Sequence, residues 1–330
     1  MRDQCNELGS TAIQIYKSLT DTKYNIGVFR SLSEAIAQFQ PHLIHAWLPA
    51  SVTIPAMILA AMGSIPCLWS YRSAMFFNRP LAIIEHLLAW SLVSRIISNN
   101  HINQSTAPYR ALFRMKGGVL IPNAVHVGEQ HWRKHTLPSS GKKRNILFVG
   151  RLVQSKNWQC IIQALPAVLR AHNAQLLICG EGEDADQIHA MCGQLQLREY
   201  VSILGYRQDI YRMMQESDVF VQPSLYEGMS NVFLEALAVG VPCVVSDIPS
   251  NRDIIKNTHC ALTFNPSSSD ELAGHIIRIL GSPDLVTSLS QAGLAVARTY
   301  SVELLAIRHA AVYHEVVASA SPKGRSFHIR

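Results

Sequence analysis

From residue 143 onward, short apolar runs alternate with segments of helical periodicity. Runs such as NILFVG and DVFVQP have the length of buried strands, and strands that alternate with helices form a parallel sheet covered on both faces. The pattern therefore predicts a Rossmann-like α/β domain, whose ligands bind beyond the carboxyl ends of the strands. The predicted strands are 145–150, 175–180, 201–205, 218–223, 242–246 and 260–264, with helices near 156–171, 184–196, 208–216 and 230–239 and further helices to about 318.

The residues before 143 follow the same alternation, so a second Rossmann-like domain is expected there. A polar and basic segment, 128–144, is typical of a linker. The chain is therefore predicted to form one domain at 1–140, another at 141–305, and a C-terminal helix and tail at 306–330. The elements predicted in the first domain are strands at 12–16, 42–47, 66–71, 95–99 and 119–123 and a helix at 28–40.

The positive charge is concentrated in the first part of the chain. Residues 1–140 hold 12 Lys and Arg against 6 Asp and Glu, whereas residues 141–330 hold 17 against 17. This excess predicts either contact with an anionic membrane or phosphate-bearing substrate, or simply a solvated basic surface. Nucleic acid is disfavoured as a partner, because no run of Lys and Arg with interleaved aromatic residues occurs. Apolar residues at 48% and charged residues at 16% exclude a disordered chain.

The seven cysteines show neither CxxC nor zinc-ligand spacing, and we predict no metal site from them. Several lie in apolar runs, where cysteine behaves as a small buried hydrophobe. Their odd number, with no recognisable signal peptide, leads us to expect a reducing, cytoplasmic location.

An uncharged stretch, 46–71, is long enough to span a bilayer. Pro49, Pro55, Gly63 and Pro66 interrupt it, however. We therefore interpret it as a strand, a loop, a short helix and a strand of a buried α/β layer rather than as a membrane helix.

The first candidate for chemistry is GRLVQSKN (150–157), which follows a predicted strand. A strand that runs through Gly150 into a helix start places backbone N–H groups and the helix dipole against an anion. Arg151 and Lys156 add two cationic side chains, a combination that suits a diphosphate. The alternative is a capped helix with an arginine and a lysine on its surface.

The second candidate is SLYEGMSNVFLEA (224–236). Glu227 and Glu235 are predicted to face one cleft at different depths, where carboxylates accept hydrogen bonds from vicinal hydroxyls. The N–H groups of the helix start between them suit a phosphate. Glu235 is either such a ligand or an exposed helix residue, and its apolar neighbours favour the first interpretation. A third segment, GEGED (180–184), is a weak glycine-turn motif.

Four of these segments resemble the retaining glycosyltransferases of family 4: GRLVQSKN, ICGEGED, LGYRQDIYRMMQESDVFVQPS and EGMSNVFLEALAVGVPCVVSD. The resemblance implies the GT-B fold, an α/β architecture of two facing, doubly wound Rossmann-like domains with the active site in the cleft between them. It also implies a nucleotide-sugar donor in the second domain, an acceptor held by the first, and transfer with retention at the anomeric carbon by front-side attack.

The resemblance further implies a role for each residue of these motifs. Arg151 and Lys156 would bind the diphosphate and stabilise the leaving group without a metal ion or other cofactor. Glu227 would contact the donor sugar and Glu235 the ribose. Backbone groups would contact the phosphates, the sugar and the base from Gly150, Gly205, Tyr206, Gly228, Met229, Ser230 and Asn231.

In the first domain, HLIHAWLP and PCLWSYRSA resemble the two cleft-facing loops of the family. Arg72 and His45 are the catalytic candidates there, although His45 is equally well explained as a strand-end histidine bonded to backbone. IPNAV (121–125) replaces the usual Pro-Asn-Gly turn, so a left-handed residue is either Asn123 or absent. The first strand, the glycine-rich loop and the second strand of the family are not recognisable, which leads us to expect an N-terminally incomplete domain.

We therefore expect a glycosyltransferase of surface polysaccharide or lipopolysaccharide biosynthesis, acting on a glycan or lipid-linked acceptor. It would be cytoplasmic and in peripheral contact with the inner face of the membrane. The alternatives are a non-catalytic relative that binds a nucleotide sugar or a partner chain, and a nucleotide-sugar epimerase of the same fold. Uracil, guanine and adenine remain open as the donor base.

Overall fold

A computed structural model describes residues 26–47, 50–71, 87–99, 107–127 and 142–320. Before residue 128 the elements are α1 (Ile26–Phe39), β1 (Ile44–Trp47), α2 (Ala50–Met62), β2 (Cys67–Tyr71), β3 (Arg95–Ser98), α3 (Ala107–Met115) and β4 (Val119–Leu120). After residue 142 they are β5 (Arg144–Val149), a 3₁₀ turn (Gln154–Lys156), α4 (Trp158–Ala171), β6 (Ala174–Cys179), α5 (Ala185–Gln194), β7 (Val201–Ile203), α6 (Ile210–Gln215), β8 (Val219–Gln222), α7 (Asn231–Val239), β9 (Cys243–Ser246), α8 (Pro249–Ile255), β10 (Leu262–Phe264), α9 (Ser269–Gly281), α10 (Pro283–Arg298) and α11 (Val302–Ser319).

The strands form two sheets, and the predicted α/β class is confirmed. The first sheet has the order β1-β2-β3-β4, and the second has the order β10-β9-β8-β5-β6-β7. Every neighbouring pair of the second sheet is parallel. The strand order reverses beside β5, where β6 lies on one side and β8 on the other. Such a switch point opens a crevice at the carboxyl ends of the strands.

The second sheet is covered on both faces, as its continuous apolar strands predict. Side chains alternate between the faces of a strand, so Ile146 and Phe148 join one buried cluster while Leu147 joins the other. Helices α4 and α9 supply much of the first cluster, and α7 supplies much of the second. The six described cysteines are buried and unpaired. Burial raises the pKa of the Cys160 and Cys179 thiols to about 11, so these groups remain neutral at physiological pH.

The described residues belong to two compact units. One holds 26–47, 50–69, 87–94 and 320, and the other holds 70–71, 95–99, 107–127 and 142–319. The domain boundary near residue 140 remains a prediction, since 128–141 lie outside the described ranges. The strand predicted at 12–16 also lies outside the described ranges. The expected incompleteness of the first domain therefore remains a prediction.

The uncharged stretch 46–71 divides as predicted. It holds the end of β1, helix α2 with Pro55 inside it, and β2. No helix among the described residues is long and apolar enough to cross a membrane.

Three local details differ from the sequence-based predictions. The helix expected from 156 begins at Trp158, because Asn157 adopts a left-handed conformation (φ 53°) between the 3₁₀ turn and α4. The strand expected at 119–123 pairs only over Val119–Leu120, and Pro122 has no N–H to continue the ladder. Helices α3 and α8 were not predicted. Helix α8 begins with Pro249, and proline suits the first turn of a helix because it has no N–H that would lack a partner there.

Candidate functional site

An ion pair joins the loops that follow the adjacent strands β5 and β8. Lys156 Nζ lies 2.5 Å from Glu227 Oε1. The two side chains retain only 21% and 13% of their exposure, so bulk water screens the pair weakly. The first and second candidate segments therefore meet at one place, at the carboxyl edge of the sheet, where the strand order predicts a ligand crevice.

The Lys156 loop is held by Asn157, whose left-handed backbone separates the 3₁₀ turn from α4. Asn157 Nδ2 donates to the carbonyl oxygens of Pro223 at 2.9 Å and Pro266 at 2.8 Å. The Leu225 N–H donates to the Ser155 carbonyl at 2.9 Å. Loops after three strands are thus bonded to one another, which fixes the place from which Lys156 reaches Glu227.

In the described part of the chain, hydrogen bonds reach one oxygen of the Glu227 carboxylate. Its Oε1 accepts from Ser224 Oγ at 2.8 Å and from Gln222 Nε2 at 3.3 Å, in addition to its contact with Lys156. Its Oε2 has no hydrogen-bond partner within the described part of the chain. One oxygen is thus anchored by three donors while the other can accept from a ligand hydroxyl.

Helix α7 begins where the sequence predicts. Ser230 is its N-cap, and its Oγ accepts from the Phe233 N–H at 3.2 Å. The same Oγ accepts from Gln222 Nε2 at 2.6 Å. Gln222, which is buried, therefore links the Glu227 carboxylate to the cap of α7. The remaining N–H groups of the first turn are available to an acceptor.

Glu235 lies one turn into α7, on a half-buried position of the helix. Burial raises the pKa of its carboxyl. Burial also raises the pKa of Tyr211, and the charge of Glu235 adds to that rise. No hydrogen bond to the Glu235 carboxylate forms within the described ranges. A partly desolvated carboxylate without a hydrogen-bond partner is unfavourable for folding. Such carboxylates are typical of ligand-binding sites.

The turn after β6 passes directly against the turn after β5. Gly180 has φ +145°, and a Cβ on it would overlap the carbonyl oxygen of Gly150. The Gly180 N–H donates to the Gly205 carbonyl at 2.8 Å, and Gly205 itself has φ +65°. The first glycine of GEGED, Gly180, is therefore needed for the close approach of the turn after β6 to the turn after β5. It brings the turns that carry Gly150 and Gly205 together.

The remaining predicted site residues differ in their exposure and contacts. Tyr206 is 71% exposed, and its N–H donates to Glu181 Oε1 at 3.4 Å. Arg151 is exposed beside the Lys156 loop. His45 lies in β1 with its ring centroid 4.5 Å from that of Trp47. Arg72 lies outside the described ranges. The roles of all these residues remain predictions.

Two asparagines reach the site without having been predicted there. Asn123 Nδ2 donates to Asn231 Oδ1 at 2.7 Å and to the Met229 carbonyl at 3.3 Å, and Asn123 Oδ1 accepts from Asn99 Nδ2 at 3.1 Å. Asn123 is not among the described residues with positive φ, so the left-handed residue considered for IPNAV is absent. The signal available in the sequence was the position of each asparagine as the last residue of a predicted strand, 95–99 or 119–123.

Within the described ranges, no group of three or more His, Cys, Asp or Glu side chains is placed to hold a metal ion.

Residues 131–295 match the family model described as glycosyl transferases group 1. The chain is 30% identical over 315 residues to a phosphatidyl-myo-inositol mannosyltransferase of Mycobacterium tuberculosis, covering 92% of this chain and 82% of that protein. It is 32% identical over 146 residues to an Escherichia coli UDP-Gal:alpha-D-GlcNAc-diphosphoundecaprenol alpha-1,3-galactosyltransferase. That match covers 42% of this chain and 38% of the relative. The chain spans 36%, 38% and 55% of the length of three such curated relatives.

The fold is similar to that of solved glycosyltransferases. The crystal structure of Anabaena HepE in complex with UDP-glucose superimposes with a TM-score of 0.75 at 17% identity, covering 95% of this chain and 88% of that chain. At this identity the likeness shows the fold, and it confirms the predicted GT-B architecture.

Proposed function

Because this chain belongs to the group 1 glycosyl transferases, we propose that it moves a sugar from a nucleotide-diphosphate donor to a glycan or lipid-linked acceptor with retention of anomeric configuration. The proposal includes transfer without a metal ion, as in the family 4 enzymes that its motifs resemble. It also assigns the chain to surface polysaccharide or lipopolysaccharide biosynthesis.

The observation that carries the proposal is the meeting of Lys156 with Glu227. A diphosphate needs a cation, and a sugar needs a hydrogen-bond acceptor for its hydroxyls. The structure supplies both within 2.5 Å at the carboxyl edge of a doubly wound sheet. Glu227 Oε2, which has no partner within the described ranges, can accept from a sugar hydroxyl, and the exposed Arg151 adds a second cation.

In the proposed reaction, the bond between the anomeric carbon and the diphosphate oxygen breaks, and its electron pair leaves with the diphosphate. The acceptor oxygen attacks from the same face, and its proton passes to an oxygen of the departing diphosphate. Lys156 and Arg151 stabilise the negative charge that develops on the leaving group. Glu227 binds hydroxyls of the sugar, and Glu235 binds those of the ribose.

A lipid-linked acceptor is supported by charge and by the names of relatives. Residues 1–140 hold twice as many basic as acidic side chains, which favours peripheral contact with an anionic cytoplasmic leaflet. The two curated relatives described above are named for phosphatidyl-myo-inositol and for a diphosphoundecaprenol-linked sugar.

A donor screen followed by a transfer assay tests the proposal. The protein would be melted with UDP-, GDP- and ADP-sugars, each in Mg²⁺ and in EDTA. We expect one nucleotide class to raise the Tm equally in both buffers. The binding donor would then be incubated with lipid-linked and polysaccharide acceptors, and the anomeric configuration of the product would be measured by NMR.

Each outcome separates one part of the proposal. A shift that needs Mg²⁺ would contradict metal-free transfer, and an inverted product would contradict retention. Binding without transfer to any acceptor would favour the non-catalytic relative.

A further inference from the structure

Three asparagine side chains form a continuous chain of amide hydrogen bonds that ends at α7. Asn99 and Asn123 follow the parallel neighbours β3 and β4, whose register places Ser98 opposite Leu120. Their side chains therefore meet, and they are buried, with exposures of 3% and 7%. Asn123 then contacts Asn231, the first residue of α7. All three belong to the second unit.

The Met229 carbonyl fixes the orientation of every amide in this chain. A backbone carbonyl can only accept, so the atom of Asn123 that lies 3.3 Å from it must be the NH₂ group. The same NH₂ lies 2.7 Å from Asn231, so the Asn231 atom that faces it must be the carbonyl oxygen. The oxygen of Asn123 is then left to accept from the NH₂ of Asn99.

One consequence concerns the other end of Asn231. Its Oδ1 is held by Asn123, so its Nδ2 is turned away from Asn123 as a hydrogen-bond donor. This Nδ2 donates to no acceptor within the described ranges, and Asn231 is exposed at the start of α7. A fixed donor at this place complements the backbone N–H groups of the first helical turn.

We propose that Asn123 is a positioning residue of the donor site, which orients Asn231 so that its NH₂ group donates to an oxygen of the nucleotide sugar. This inference rests on the proposed function. The acceptor oxygen belongs either to the diphosphate or to a sugar hydroxyl, since an amide N–H can donate to either. Asn123 also holds the Met229 carbonyl, so the loop before α7 is fixed by the same side chain.

A double-mutant cycle tests whether Asn123 acts through Asn231. Isothermal titration would measure the affinities of the wild type, N123A, N231A and the double variant for UDP, GDP and ADP and for UDP-glucose and GDP-mannose. We expect each single variant to bind its nucleotide sugar about tenfold more weakly, the loss of one hydrogen bond in a desolvated site. The double variant should lose no more than about tenfold, since both changes remove one contact.

The matched pair N123D and N145D separates positioning from folding. Asn145 lies at the amino end of β5, away from the site, and its Nδ2 donates to the Glu216 carbonyl at 3.0 Å. N145D therefore also places an oxygen against a backbone carbonyl, but at the amino ends of the strands. N145D should bind the donor as the wild type does, whereas N123D should bind it more than tenfold more weakly.

Comparison of nucleoside diphosphates with nucleotide sugars identifies the part of the donor that Asn231 contacts. Equal weakening for the nucleoside diphosphate and its sugar conjugate assigns it to the diphosphate, and weakening for the conjugate alone assigns it to the sugar. An additive loss of about a hundredfold in the double variant, or unchanged binding by N123A, would overturn this inference while leaving the proposed function intact. A wild type that binds none of the nucleotides or nucleotide sugars would overturn both.

Discussion

Lys156 and Glu227, which are 71 positions apart in the sequence, form a weakly exposed ion pair with 2.5 Å between Nζ and Oε1. Each side chain is the group that a nucleotide sugar would need at this edge of the sheet, one for the diphosphate and one for the sugar. A ligand diphosphate must therefore compete with Glu227 for Lys156. The pair holds both side chains in place before a ligand binds.

Replacing Glu227 with Gln should separate sugar binding from diphosphate binding. E227Q removes the charge but keeps the shape, so we expect at least tenfold weaker binding of the nucleotide sugar. Binding of the nucleoside diphosphate alone should be unchanged or tighter, because Lys156 loses its competitor. Titration calorimetry with both ligands measures the difference.

The control for E227Q is E216Q, which breaks the exposed pair between Arg212 and Glu216. It should leave both affinities unchanged. Equal weakening of the two ligands by E227Q would show that Glu227 does not contact the sugar.

Removing the N-cap of α7 should destabilise the protein more than removing a comparable cap elsewhere. S230A deprives the Phe233 N–H of its acceptor and also removes the 2.6 Å acceptor of the buried Gln222 Nε2, which keeps its longer contact with Glu227 Oε1 at 3.3 Å. We expect a loss of about 2–3 kcal/mol in the free energy of unfolding, against about 1 kcal/mol for S268A, which removes only the cap of α9. Urea unfolding of both variants gives the comparison, and equal losses would mean that Gln222 adds nothing to the cap.

Replacing Gly180 with Ala should be strongly destabilising. The backbone there has φ +145°, and a Cβ would overlap the Gly150 carbonyl oxygen. A loss on the order of 3 kcal/mol is expected from strain and overpacking. G274A is the matched control, since Gly274 lies within α9 with open space around its Cβ position and should gain about 0.5–1 kcal/mol. Thermal unfolding of the two variants measures both signs, and a G180A variant as stable as the wild type would show that the turns can separate.

The difference in the free energy of unfolding between E235Q and the wild type should depend on pH. Burial raises the pKa of this carboxyl, so the folded state binds the proton more tightly than the unfolded state. Folding is therefore penalised as pH rises through the ordinary glutamate pKa of about 4.3 and up to the folded value, and the penalty is complete above it. E235Q should be more stable than the wild type at pH 7, and its advantage should shrink as pH falls through the raised folded pKa and be lost below about 4.3.

Urea unfolding of E235Q and of the exposed control E199Q at several pH values tests this prediction. A constant difference between E235Q and the wild type across pH would contradict it. Donor affinity provides a second readout, because a ribose-binding carboxylate should be needed for binding even though its removal stabilises the fold.

The elements of the second sheet could be predicted from the sequence because each strand is a short apolar run and each run is followed by a helical segment. The Lys156 and Glu227 loops could be predicted because a site on a parallel sheet lies after its strands. Asn99 and Asn123 could not, since the contact from Asn123 to Asn231 spans 108 positions and neither asparagine carries a charge or a recognisable spacing. The left-handed Asn157 was missed for a similar reason, because its conformation depends on carbonyls of two distant loops.

Titration of the nucleoside diphosphate into K156A tests the central claim most directly. K143A is the matched control, since Lys143 is an exposed lysine before β5. If Lys156 binds the diphosphate, K156A should bind it at least tenfold more weakly while K143A binds it as the wild type does, with both variants melting cooperatively. A K156A variant that binds the diphosphate with wild-type affinity would contradict the account.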